Sequence, residues 1–114
     1  MIHLDDMWQV YRSTLERSGL EWLAYGHIGN NHLHVNVLPR DQHELATAMG
    51  HYMDFARTAV GFGGTVSAEH GVGKIKAKFM GVMFDDRQLA QMRAVKAALD
   101  PDALLGPGNI FAAD

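Results

Sequence analysis

The stretch Gly26–Val37, GHIGNNHLHVNV, concentrates three histidines and three asparagines in one short segment. Neutral imidazole is both a common metal ligand and a general base near physiological pH. Asn30-Asn31 suits the central positions of a two-residue hairpin turn, because asparagine tolerates positive φ. Such a turn sets Gly29 opposite His32, Ile28 opposite Leu33, His27 opposite His34 and Tyr25 opposite Asn36. Alternation then gives the ribbon two faces. Ala24, Ile28, Leu33, Val35 and Val37 form an apolar face to pack on helices, while Tyr25, His27, His32, His34 and Asn36 form a polar one. Directly opposed residues have Cβ atoms roughly 4.5–5.5 Å apart. Two imidazoles so placed can share a metal at ~2.0–2.1 Å each. The ordinary alternative is a solvated polar strand face, which half-exposed sheets normally carry.

A second stretch, GGTVSAEHGVGK, sets Glu69 and His70 side by side between glycines. Neither residue is needed for a core there, and glycine lets backbone approach a ligand closely. A carboxylate added to two imidazoles makes a set with an open position, the arrangement of catalytic rather than structural metals. A histidine beside it, left out of the set, can serve as general base. The alternative is that Glu69 caps a local amide and His70 is solvated. The segment is not a phosphate loop: the first glycine of that pattern would fall at Ala68, and Ile75 follows Lys74.

The elements that must position these residues are legible in outline. Asp5 and Asp6 are candidate caps of a first helix, with Met7, Trp8, Tyr11 and Leu15 on one face and Gly19 as its stop. Two strand-like runs follow around the asparagine turn. Asp41 and Glu44 resemble a capping box, and Leu45, Ala48, Met49, Tyr52, Ala56 and Ala59 stripe a second helix that ends at Gly61. TVSA reads as a short strand or extended piece, and EHGVGK as a turn into a short helix. Asp85 and Asp86 can cap a last helix with Leu89, Met92, Val95 and Leu99 inward, before a proline-containing extended tail. An isolated two-stranded hairpin is marginal in water, so the expected fold is part of a larger α+β sheet completed by other sequence or a second copy.

The bulk numbers narrow the class. The chain has 114 residues, 47% hydrophobic and 20% charged, as expected of one globular domain. A net charge of −3 is too mild to predict a nucleic-acid surface. Without cysteine there is no disulfide or thiolate site, so any metal is held by nitrogen and oxygen. No window supplies the ~20 apolar residues of a membrane span, and the first residues lack the basic and apolar regions of a signal peptide. The expected location is cytoplasmic or membrane-peripheral.

Together, GHIGNNHLHVNV, GGTVSAEHGVGKIK and MRAVKAALDPDALLGPGNIF resemble the C-terminal end of FAD-linked oxidases. That family includes cytochrome-type D-lactate dehydrogenase, the glycolate oxidase FAD subunit and D-2-hydroxyglutarate dehydrogenase. The resemblance runs from about Tyr25 to Phe111. It implies an α+β fold, a ferredoxin-like antiparallel sheet with helices on one face, of which residues 1–114 form the C-terminal fragment of the substrate (cap) domain. It implies oxidation of a D-2-hydroxy acid to the 2-oxo acid with FAD as hydride acceptor. Its FAD-binding domain has no counterpart in this sequence, so the isolated chain is expected to be inactive and to need that domain or subunit as partner. A homo-oligomer is a further expectation. By the same resemblance His27, His34 and Glu69 hold a divalent metal, His70 is the base on the substrate hydroxyl, and Asn36 contacts substrate. Zinc suits the donor set best. The chain departs from the family at His32, where an asparagine is usual, and at Gly106 and Asn109, where an asparagine and a lysine are usual. The rival functions are a non-catalytic ferredoxin-like metal-binding or assembly module and a small metal-dependent hydrolase.

Overall fold

A computed structural model describes residues 3–111 and divides into two compact units, one ending at Gly63 and the other beginning at Gly64.

The first unit runs α1 (Leu4–Ser18), β1 (Trp22–His27), β2 (His32–Val37), α2 (Gln42–Gly61). Gly19 ends α1 in the left-handed conformation at φ 70°, where a side chain would be strained. Asp5 and Asp6 lie inside the first turn of α1 instead of capping it; the capping position is His3, whose ring nitrogen meets Asp6 at 2.9 Å. Acidic residues in a first turn still favour the helix through its dipole. Asp41 caps α2 as expected, accepting from the Glu44 amide at 2.8 Å. Glu44 reaches back to the Arg40 amide at 2.8 Å, one residue before the cap, and also pairs with the Arg40 guanidinium. These bonds from Arg40 hold the Glu44 carboxyl below its ordinary range.

The core of this unit joins Met7 and Leu15 of α1 to Phe55 of α2, with Tyr11, Trp22, Val35, Val37, Tyr52 and Ala59 packed around it. Leu15 is completely buried, so Leu15→Ala would cost about 2–5 kcal/mol. Phe55, absent from the stripe expected for α2, closes the core edge-on against Tyr11 at 4.8 Å. The two helices therefore cover the face of the hairpin that carries Trp22, Val35 and Val37. Burial and the neighbouring Tyr52 hydroxyl push the Tyr11 phenol above its ordinary pKa.

β1 and β2 pair antiparallel, but not in the expected register. His27 lies opposite His32, Gly26 opposite Leu33, Tyr25 opposite His34 and Leu23 opposite Asn36. The turn is the reason: Ile28–Asn30 form a 3-10 turn and only Asn31 takes the left-handed conformation, at φ 57°. A tight Asn30-Asn31 turn would need positive φ at both residues. Ile28 is thereby removed from the apolar face and is 69% exposed. Gly26 is required, because a Cβ there would stand 2.4 Å from the His32 carbonyl oxygen. Among the described residues these two strands form one two-stranded sheet. The α+β class holds, while the further strands of a ferredoxin-like sheet are not found there.

The second unit begins with an irregular segment through residues 64–76, so TVSA makes no strand. A 3-10 turn at Ala77–Phe79 leads into α3 (Met80–Met83), and α4 (Asp86–Leu99) follows. Phe79 and Met80 are buried. Asp85 caps α4 in a full capping box with Gln88, whose amide and side chain complete both bonds at 2.8 and 2.9 Å. Leu89 and Met92 are half-buried as expected, but Val95 and Leu99 are 61% and 79% exposed, not inward. At the end of α4, Lys96 pairs with Asp100, whose carboxylate also accepts from the Leu104 and Leu105 amides. The Lys96 bond is the main cause that holds the Asp100 carboxyl below its ordinary range.

Candidate metal and substrate site

The hairpin exposes its second face as an aromatic and imidazole ladder. Leu38 N–H bonds to the Glu21 carbonyl, so opposed pairs in step with it, Tyr25/His34 and His27/His32, exchange hydrogen bonds across the ribbon. The backbone groups of Val35 and Val37 therefore point away from β1. There the Tyr52 hydroxyl donates to the Val35 carbonyl and accepts from the Val37 amide, both at 3.0 Å. One helix side chain thus clamps β2 on either side of Asn36, beginning one residue after His34.

On the polar face, Tyr25 stacks on His34 with ring centroids 5.1 Å apart. His32 lies 4.5 Å from His34 and 5.9 Å from His27, while His27 and His34 are 6.3 Å apart. His27 and His34 are diagonal neighbours, not directly opposed as expected. Asn36 donates its side-chain N–H to the Tyr25 hydroxyl at 3.2 Å. All five residues expected on this face are on it, because the register differs by an even step and side-chain period is two.

Glu69 and His70 sit in an exposed turn of the second unit, stitched by short hydrogen bonds. The Ser67 hydroxyl donates to the Gly71 carbonyl at 2.6 Å, spanning the two residues, and accepts from Lys76 at 3.3 Å. Gly71 and Gly73 take φ of 68° and 54°, which glycine adopts without strain. The Ile110 amide donates to the Gly73 carbonyl at 2.9 Å, so the C-terminal tail braces the same turn. Glu69 and His70 approach each other to 3.7 Å. Tyr25 is expected on the polar face but carries no assigned role there, and Ser67 is not singled out from sequence; its signal is only its position beside Glu69 and His70.

With the geometry in place, comparison with known proteins is decisive. Residues 2–110 match the family model of the FAD linked oxidases, C-terminal domain. The chain belongs to that family. It is 36% identical over 97 residues to the D-2-hydroxyglutarate dehydrogenase of Stutzerimonas stutzeri, covering 82% of this chain and 21% of that protein. It is 34% identical over 93 residues to glycolate oxidase subunit GlcD of Bacillus subtilis, covering 80% and 20%. With the D-lactate dehydrogenase of Archaeoglobus fulgidus the identity is 30% over 109 residues, covering 92% and 23%. This FAD-linked oxidase C-terminal chain thus spans about a fifth of the length of the curated relatives it matches. Among the described residues no helix is long and apolar enough to cross a membrane.

Proposed function

We propose that this FAD-linked oxidase domain contributes the metal-binding and proton-accepting part of a flavoprotein that oxidises a D-2-hydroxy acid to the 2-oxo acid. The observation that carries the reading is the imidazole pair: His27 and His34 lie on one face of the hairpin with ring centroids 6.3 Å apart, and Glu69 is the carboxylate we assign to complete the donor set. Two imidazole nitrogens and a carboxylate oxygen fit a divalent transition metal with open positions, zinc foremost. When bound, the metal supplies positive charge that favours the substrate alkoxide, and FAD, held by a domain outside this sequence, supplies the hydride acceptor.

The chain's own residues do the rest. His70 accepts the proton of the substrate hydroxyl at an imidazole nitrogen. Asn36, on the same hairpin face as His27 and His34, hydrogen-bonds a substrate oxygen and fixes its orientation. The apolar backing of the hairpin and the Tyr52 clamp hold the strand that carries His34 and Asn36. On this reading residues 1–114 form the C-terminal part of the substrate domain, working in the cytoplasm or at a membrane surface.

A second reading has specific support, because the donor set lies within this chain whereas FAD would be held elsewhere: the chain is a metal-binding module with no chemistry of its own. One experiment separates the two. The chain is reunited with its flavin domain, and zinc is titrated into Glu69→Gln and His70→Asn while a D-2-hydroxy acid reduces the flavin. For the catalytic reading, Glu69→Gln loses zinc affinity and is partly rescued by excess zinc. His70→Asn keeps zinc but loses roughly 10²–10⁴ in rate, without rescue. Near-wild-type turnover by His70→Asn would leave only the metal-binding module.

A further inference from the structure

Tyr25 carries none of the roles assigned so far, yet two of the proposed site residues rest on it. Its ring lies opposite His34 across the ribbon and stacks on that imidazole, at 5.1 Å and 23° between planes. Its hydroxyl accepts from the Asn36 side chain at 3.2 Å. The side chain is 54% exposed, on the polar face and outside the core. A residue held this way serves no packing need, since the apolar cluster lies on the other side of the hairpin.

A phenol is both donor and acceptor, so an oxygen that accepts from Asn36 still has its O–H to give. We propose that Tyr25 is a positioning residue with two separable parts. Its ring holds the His34 imidazole in the orientation that presents a nitrogen to the metal. Its O–H, aimed by the Asn36 amide, donates a hydrogen bond to a carboxylate oxygen of the hydroxy acid. This rests on the metal and substrate reading above. It also accounts for Asn36 without asking that residue alone to fix the ligand, because Asn36 and Tyr25 form one hydrogen-bonded pair on the polar face.

The two parts come apart by substitution. Tyr25→Phe keeps the ring and removes the donor; Tyr25→Leu removes both. Zinc affinity is measured on the chain by competition with a chromophoric chelator, and D-lactate affinity on the zinc-loaded chain by NMR titration. Tyr25→Phe should bind zinc as the wild type does and D-lactate roughly ten- to a hundredfold more weakly, as for a lost hydrogen bond to a charged group. Tyr25→Leu should in addition bind zinc about two- to tenfold more weakly, the scale of an aromatic pair. A merely structural tyrosine would not separate the two affinities. Wild-type D-lactate affinity in Tyr25→Phe overturns the donor role, and wild-type zinc affinity in Tyr25→Leu overturns the stacking role. A wild-type chain that binds no zinc would instead overturn the parent reading, and this one with it.

Discussion

Tyr52→Phe isolates how the helix layer holds the site. The variant keeps the aromatic ring, which packs against Phe55 and the core, and deletes only the hydroxyl. That hydroxyl makes two hydrogen bonds to β2, one to the Val35 carbonyl and one from the Val37 amide. Each contributes a net ~0.5–1.5 kcal/mol, and their backbone partners are only part-buried, so water recovers some of the loss. The expected destabilisation is about 1–3 kcal/mol. At roughly 4 °C per kcal/mol for a chain of this size, the thermal midpoint should fall by about 4–12 °C. Because Val35 directly follows His34 and, with Val37, flanks Asn36, zinc affinity should fall as well, although no ligand is touched. Urea unfolding followed by circular dichroism gives the first quantity, and its slope should be unchanged if only stability has altered. A midpoint within about 1 °C of wild type would refute the clamp, since two lost hydrogen bonds cannot be silent.

Other perturbations follow from the same geometry. Gly26→Ala would drive a Cβ to within 2.4 Å of the His32 carbonyl and 3.0 Å of the Leu33 Cα, so the strands must part and both stability and zinc binding should drop. Asp85→Ala removes the α4 capping box and should cost about 1 kcal/mol by urea unfolding, with zinc affinity unchanged. His32 lies outside the His27, His34, Glu69 group, so His32→Asn should leave metal stoichiometry unaltered in elemental analysis. The Asp100 carboxyl, depressed by Lys96 and two amides, stabilises the fold above its ordinary pKa of 3.8, and that increment is lost as pH falls below it. Acid unfolding of Asp100→Asn should therefore show a shallower fall in stability across that window than wild type.

The helices and the choice of hairpin face were readable because each rests on local chemistry. Asp41, Asp85 and Gly19 are capping residues whose preferences act within a turn. Alternation assigns faces, and an even change of register leaves them untouched, which is why His27, His34 and Asn36 kept their side while losing their expected partners. The register itself depends on how the turn closes, and Asn30-Asn31 permits more than one closure. Val95 and Leu99 show another limit: helical spacing tells which residues share a stripe, not what covers it. Glu69 and His70 lie in irregular backbone held by Ser67, Gly71 and the tail at Ile110, contacts that no periodicity announces.

Metal content tests the central claim most directly. The purified chain, loaded with zinc, dialysed and measured by elemental analysis, should retain about one zinc per chain, as a two-histidine, one-carboxylate set requires. Replacing both hairpin ligands in His27→Ala, His34→Ala should abolish retention, and Glu69→Gln should reduce it, with circular dichroism unchanged in each. Equal zinc in the double variant and the wild type, or none in either, would contradict the assignment of His27, His34 and Glu69 as the metal site.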